Sequence, residues 1–428
     1  MKAYFGTLGC KVNAIETDSM AALLQAHGYA RTDAPEQADV IVLNSCTVTA
    51  SGDSRMLRML RRLRTAAPHA VIVLTGCYVQ AFPEDAAKLT DADILLGTKR
   101  RGALPDILES HFLHPERRSL IEPHGRGDAF ETLPQGADAM HTRAFLKIQD
   151  GCDRFCTYCI IPYARGRCRS RSAAGIREEA ARLYAAGFRE IVLCGINLAC
   201  WEDAGADLAD AVRICADAGF PRVRLGSLEP DGLTEPVLTR LSRIPALCPQ
   251  FHIAVQSGCD RILHAMHRHY TTAEFAQLVD TVRAHFPDAA VTTDIMVGFP
   301  GETDADHAET MAFVRRVGFA QMHVFRYSRR PGTKAAELPC QIPEAVKKAR
   351  ADELSALGAE LHAAFLRSCI GRDLTVLFER ERGTGFHQGH AENYIAVRVP
   401  DAGGADWRGC IRTVRITAAE GDHLIGET

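Results

Sequence analysis

Short apolar runs alternate with amphipathic stretches along most of this chain, and that alternation is the strongest constraint on its fold. AYFGTL (3–8), VIVLN (40–44), VIVLTG (71–76) and DILLG (93–97) each precede a helical pattern. Those patterns are residues 13–27, the basic stretch SRMLRMLRRLR (54–64), FPEDAAKL, and residues 101–112. Runs this short, each followed by helical periodicity, predict βα units and a parallel sheet with helices on its faces. Residues 113–142 are rich in His, Pro, Gly and charge, and read as a linker with little structure. A second series then begins: FLKIQ (145–149), EIVLCGI (190–196), RVRLGSL (222–228), FHIAVQ (251–256), AVTTDIMVGF (290–299) and QMHVFRY (321–327). Six such units predict a partial (βα)6 barrel, because a full barrel has about eight; a doubly wound open sheet is the rival topology. After a helical stretch at 344–368, DLTVLFER, NYIAVRV, GCIRTVRITAAE and HLIGET predict a small all-β domain. The expected organisation is an α/β domain over 1–112, a linker over 113–142, a barrel-like α/β core over 143–368 and an all-β domain over 369–428.

Composition removes several classes. At 428 residues and 46% hydrophobic, the chain can bury two or three cores. Its net charge of −3 gives no global field for a polyanion, so any nucleic-acid contact must come from local patches. MKAYFGTLGCKVN lacks a long apolar segment, so no signal peptide is expected, and no apolar run is long enough for a membrane span. A cytoplasmic location follows as an expectation. The 15 cysteines are odd in number and come without a secretion signal, which argues against a disulfide framework. Cys194, Cys200, Cys215, Cys248, Cys340, Cys369 and Cys410 read as buried small apolar residues.

Six other cysteines form two trios. Cys152, Cys156 and Cys159 crowd one stretch, GCDRFCTYCIIPYARG, directly after a strand, where α/β folds place their active loops. A structural zinc site wants four ligands, and nothing about the spacing of the next cysteine, Cys168, recommends it as the fourth. An iron–sulfur cluster with one iron left open fits three thiolates better. Cys10, Cys46 and Cys77 each lie just beyond one of the first three strands, in TLGCKVN, NSCTVT and TGCYVQ. Parallel strands end on one edge, so three such loops can meet at one crevice.

GCDRFCTYCIIPYARG resembles the signature of the radical S-adenosylmethionine (SAM) methylthiotransferases, and TLGCKVN, NSCTVT and TGCYVQ resemble the family's other cysteine motifs. The resemblance continues in order through LCGIN, SLEP, VQSGCDRIL, TTDIMVGFPGET and FRYSRRPGT, and covers the whole chain. It implies a C-terminal TRAM domain and two [4Fe–4S] clusters. Cys152, Cys156 and Cys159 would hold the cluster that binds SAM and yields a 5′-deoxyadenosyl radical. Cys10, Cys46 and Cys77 would hold an auxiliary cluster carrying the sulfur to be methylated and transferred. Tyr158 is expected beside the SAM adenine, with Gly195, Glu229 and Gln256 as further SAM contacts. Cys259 and Cys168 depart from the family pattern, and neither is expected to ligate a cluster.

TLGCKVN further resembles the subgroup acting on N6-threonylcarbamoyladenosine (t6A) in tRNA, beside the anticodon. Enzymes acting on isopentenyladenosine resemble GCQMN at this point, and those acting on a ribosomal-protein aspartate resemble LGCPKN. The implied partners are such a tRNA, an electron donor such as flavodoxin or ferredoxin, and a sulfur donor, with no membrane. An iron–sulfur carrier or a zinc-dependent RNA-binding protein is the non-enzymatic alternative. RNA contact needs local positive charge. Arg55, Arg58, Arg61, Arg62 and Arg64 offer one patch; Arg165, Arg167, Arg169 and Arg171 offer another beside the cysteine loop; and Arg398, Arg412 and Arg415 offer a third in the C-terminal domain.

Overall fold

The computed structural model describes residues 1–134, 136, 142–379, 385–401, 403 and 405–428. Its N-terminal sheet is wholly parallel. The spatial order is Ala30–Arg31, Lys2–Thr7, Val40–Ser45, Val71–Gly76, Ile94–Leu96, Arg118–Leu120. Val40–Ser45 and Val71–Gly76 are buried along their whole length, as expected of central strands covered on both faces. The order reverses between Lys2–Thr7 and Val40–Ser45, which makes a topological switch point, the usual place for a ligand crevice.

The expectation of little structure over 113–142 is corrected for its described part. Arg118–Leu120 adds the sixth strand to this sheet. Beyond it, Glu131 binds Arg101 at 3.2 Å and Asp128 binds Lys99 at 3.2 Å, so the segment is strapped to the sheet by ion pairs. Charge made it look like a linker; here the charges are the fastening. Residues 135 and 137–141 of that stretch lie outside the described residues.

The six core strands are Ala144–Lys147, Glu190–Cys194, Arg222–Leu225 running on into Ser227–Leu228, Gln250–Ile253, Ala290–Val297 and Gln321–Arg326. Each lies parallel and next to its predecessor in sequence. One winding direction without reversal is the partial barrel rather than the doubly wound rival. Ile191, Leu193, Val223, Leu225, Phe251, Ile253, Val291 and Ile295 pack outward with the helices in one core. Side chains alternate along a strand, so Val192, Cys194, Arg224, His252, Thr292 and Asp294 face the lumen.

Residues 373–427 close a five-stranded barrel in the order Asp373–Phe378, Phe386–Ala391, Ala396–Pro400, His423–Glu427, Ile411–Glu420. FHQGHA (386–391) is a strand with no apolar alternation to announce it. Arg380, the last residue of DLTVLFER, lies outside the described residues. Glu190 docks this barrel through three arginines: Arg143 at 2.6 Å, Arg222 at 2.6 Å and Arg224 at 3.0 Å. Arg222 also donates to the carbonyls of Thr375 and Ala391, both at 3.0 Å, and Arg224 to that of Glu392 at 2.9 Å. Burial opposes ionisation of Glu190, but Arg224, Arg222 and Arg143 outweigh it and bring its pKa down to about 2. A depressed carboxylate stabilises the fold above its unfolded pKa and loses that stabilisation as pH falls toward the folded value. The contribution is about 3 kcal/mol at neutral pH. The stability gap between wild type and Glu190→Gln should therefore narrow as pH falls from about 5 toward 2, followed by urea unfolding; a gap that stays constant contradicts the assignment.

Among the described residues, no helix is long and apolar enough to cross a membrane. Cys194, Cys215, Cys248 and Cys369 are buried as expected, but Cys340 and Cys410 are exposed and Cys200 is half-buried. Cys200 ends the short 3-10 helix Leu198–Cys200, and Cys340 and Cys410 sit in irregular segments.

Candidate active site: two cysteine trios facing one another

The auxiliary trio gathers around Asn13. Cys10 Sγ and Cys77 Sγ lie 3.8 and 4.0 Å from Asn13 Oδ1. Gly9 brings the Cys46 loop in: a Cβ there would sit 2.7 Å from Cys46 Cβ, and its φ of +127° is costly for other residues. Asn13 Nδ2 donates to Leu8 O and Ser45 O, both at 2.9 Å, and so ties two of the three cysteine loops together.

The second trio occupies the loop after Ala144–Lys147 and the short strand Gln149–Asp150. Phe155 lies at φ +48°, a left-handed turn that non-glycine residues adopt only at a cost. Thr157 fastens the loop, its N–H donating to Met266 O at 3.0 Å and its hydroxyl to Ala265 O at 2.9 Å. Arg268 Nη1 donates to Cys156 Sγ at 3.4 Å and also engages Glu229. Arg268 carried no signal in the sequence, since HRHY lies far from any cysteine motif.

All six cysteines are free thiols. Burial pushes Cys77 and Cys152 up to about 12 and raises Cys46 and Cys159 as well. Metal binding at these thiols must displace their protons. Among the described residues, no three Cys, His, Asp or Glu side chains stand in single-ion geometry. Three free thiols on three convergent loops, and three more in one fastened loop, fit the donor sets that iron–sulfur clusters take.

Of the residues expected at SAM, Gly195 and Glu229 are both approached by protein side chains. A Cβ at Gly195 would lie 2.8 Å from Gln149 Oε1, so the glycine admits the Gln149 side chain, whose Oε1 accepts from the N–H groups of Ile196 and Asn197. Gln256 is buried at φ +68° and its Oε1 has no protein partner, so it can accept from a ligand donor. Tyr158 packs into an apolar cluster with Met266, Met296 and Phe299. Glu229 is held by Arg268 rather than standing free.

The trios are joined by a buried charge network. Arg165, on the helix Ile161–Arg165 that follows the second trio, binds Glu16 at 2.8 Å, Asp150 at 3.1 Å and Asn13 Oδ1 at 2.6 Å. Glu16 also binds Lys147 at 2.6 Å and Arg101 at 2.5 Å. Burial alone would raise Glu16, but Arg101, Arg165 and Lys147 together hold it well below the usual carboxylate range. Arg330 closes the far side by donating to Thr47 Oγ1, next to Cys46, at 2.6 Å and to Asp53 at 2.5 Å. The cysteine edge of the N-terminal sheet therefore faces the loops at the C-terminal ends of the barrel strands.

Several RNA-contact expectations need correction. Arg165 is fully buried, and both of its terminal nitrogens are engaged by Glu16, Asp150 and Asn13, so it is an interior residue. Arg171 is also buried, beside Glu179 at 3.5 Å, and Arg169 is turned inward toward Asp150 at 3.4 Å. Arg64 folds back onto Asp93 at 2.6 Å. Arg55, Arg58, Arg61 and Arg62 are exposed, as are Arg412 and Arg415; Arg398 is half-buried and Arg167 is partly exposed beside Asp153. Cys168 lies against Gly151 O at 3.9 Å, and Cys259 against Asp306 at 3.2 Å.

Comparison with known proteins agrees with this arrangement. Residues 2–97 match the uncharacterized protein family UPF0004, and residues 146–314 match the radical SAM superfamily. The tRNA-2-methylthio-N(6)-dimethylallyladenosine synthase of Cereibacter sphaeroides is 37% identical, across 100% of this chain and 98% of its own length. The threonylcarbamoyladenosine tRNA methylthiotransferase MtaB of Thermotoga maritima is also 37% identical, over 91% of this chain and 89% of its own. The protein of that name from Bacillus subtilis is 35% identical, over 97% and 93%. In three dimensions the chain is similar to the radical SAM methyltransferase TsrM from Kitasatospora setae, with TM-score 0.59 at 13% identity, over 89% of this chain and 79% of that one. Two trios of free cysteines on a parallel sheet and a partial barrel define an iron–sulfur enzyme architecture. With relatives of this identity and coverage, the chain belongs to the radical SAM methylthiotransferase family, enzymes that use SAM and [4Fe–4S] clusters.

Proposed function

We propose that the chain converts t6A in tRNA to 2-methylthio-t6A. The observation that carries this reading is Lys11. Within KVN, Val12 is buried and Asn13 is committed to the cysteine loops and Arg165, so only the exposed Lys11 is available to distinguish substrates. The relatives from Thermotoga maritima and Bacillus subtilis support the same substrate by name. The full-length similarity to the Cereibacter sphaeroides protein favours a second reading, methylthiolation of a dimethylallyl-type adenosine.

In this proposal Cys152, Cys156 and Cys159 hold the cluster that meets SAM, and Cys10, Cys46 and Cys77 hold the auxiliary cluster. When bound, these groups supply the radical that removes hydrogen from the adenine C2–H and the methylthio group that replaces it. The chain's own residues orient and shield. Arg268 steadies Cys156 and Glu229. Asn13 and Arg165 set the auxiliary crevice against the barrel mouth. Gln256 offers a free acceptor for SAM, and Tyr158 offers an aromatic face.

RNA would lie on the exposed arginines. Arg55, Arg58 and Arg62 fall on one side of the helix Ala50–Ala66, which starts four residues beyond Cys46. A cleft of about 490 Å³ beside both trios is lined by Gln80, His124, Arg126, Phe155, Tyr163 and Arg167. Aromatic rings interleaved with guanidinium groups suit single-stranded bases. Arg412, stacked on Trp407 at 4.0 Å, presents a similar pair on the C-terminal barrel, in keeping with a TRAM role. The test is mass spectrometry of tRNA nucleosides from cells lacking this chain. Loss of 2-methylthio-t6A is the expected result; unchanged 2-methylthio-t6A with loss of the isopentenyl analogue overturns the reading.

A further inference from the structure

Lys11 is the first residue after Cys10, and it lies on the inner side of the barrel. Val192 and Cys194 project inward from their strand to meet Ile15, four residues further along the same helix as Lys11. Arg224 also projects inward, and its guanidinium stands 4.6 Å from the Tyr394 ring centroid. Lys11 Nζ lies 5.6 Å from that same ring centroid and within electrostatic reach of Cys194. Neighbouring cations have their counter-ions: Lys147 has Glu16 and Asp150, while Arg143 and Arg224 share Glu190. Lys11 is exposed, and among the described residues it makes no ion pair. A solvated ammonium with no carboxylate of its own therefore stands on the residue next to Cys10, between Tyr394 and the lumen-facing Cys194.

We propose that Lys11 forms a carboxylate-binding subsite that receives the threonyl carboxylate of the modified adenosine. This rests on the t6A reading and names the group by which that substrate is chosen. The threonylcarbamoyl substituent carries one negative charge and several polar atoms, whereas a dimethylallyl substituent carries neither. A charge-assisted hydrogen bond from Nζ to the carboxylate is stronger than a neutral one. An apolar substituent in the same place would desolvate the ammonium without pairing it, and sites built for a polar group reject analogues lacking it. The other motif residues cannot supply this discrimination: Val12 is buried, and Asn13 spends both ends of its amide on Leu8, Ser45 and Arg165.

The test uses the full-length, cluster-loaded enzyme and three anticodon stem–loop RNAs, bearing t6A, its carboxyl methyl ester, or N6-dimethylallyladenosine. Turnover is measured for wild type, Lys11→Gln and Lys11→Arg, with iron content determined for each. Wild type is expected to favour the acid over the ester by about 10- to 100-fold in kcat/KM. Lys11→Gln should lose most of that ratio, chiefly through KM for the acid, and Lys11→Arg should keep it. Equal use of acid and ester by wild type, or an equal loss on both in Lys11→Gln at unchanged iron content, overturns the subsite while leaving the t6A reading intact. Wild-type turnover of the dimethylallyl RNA alone overturns that reading and the subsite with it.

Discussion

Cys156→Ala should abolish reductive cleavage of SAM, whereas Cys46→Ala should leave SAM cleavage running and stop methylthio transfer. The two cysteines sit in different scaffolds. Cys156 belongs to a loop fastened by Thr157 and Arg268 on the barrel. Cys46 follows a central strand of the other sheet and is positioned by Gly9 and Asn13. Removing a ligand from one trio therefore leaves the supports of the other in place. Both variants are assayed anaerobically for 5′-deoxyadenosine and for methylthiolated RNA. Equal loss of 5′-deoxyadenosine in both, with each variant folded, contradicts the division of labour.

The second large effect is expected at Arg165. This side chain is fully buried between the trios and joins Glu16, Asp150 and Asn13. Breaking a buried, well-paired charge typically costs about 3–5 kcal/mol, because the partners stay behind without compensation. Arg165→Ala should lower unfolding stability by about that amount and should lower iron retention by the auxiliary trio, since Asn13 loses the donor that orients it. Denaturant unfolding and iron analysis test both points. An unchanged unfolding midpoint with weakened RNA binding would restore Arg165 to the RNA surface and contradict its role as an interior tie.

The βα units, the one-directional barrel and the six cysteines were legible because they depend on local signals: apolar runs of strand length and thiols at strand ends. The charged residues were read less well. ARGRCRSR looks like a surface patch in sequence, yet Arg165 and Arg171 are interior and Arg169 turns inward, because their carboxylate partners lie elsewhere in the chain. Glu16 sits 149 positions from Arg165 and 131 from Lys147, and no local pattern marks such a pairing. The same applies to Arg268 at Cys156, 112 positions away, and to Arg330 at Thr47, 283 positions away. The strap around Glu131 and the strand FHQGHA escaped for a related reason. Polar residues there earn their place through tertiary partners rather than apolar periodicity.

The central claim is that this chain builds two separate three-cysteine cluster sites. Its most direct test is iron and sulfide analysis of anaerobically purified wild type, Cys156→Ala and Cys46→Ala. About eight irons per wild-type chain and about four in each variant are predicted, as two four-iron clusters require. Stoichiometric zinc without iron, or loss of all iron from either single variant while it remains folded, would contradict it.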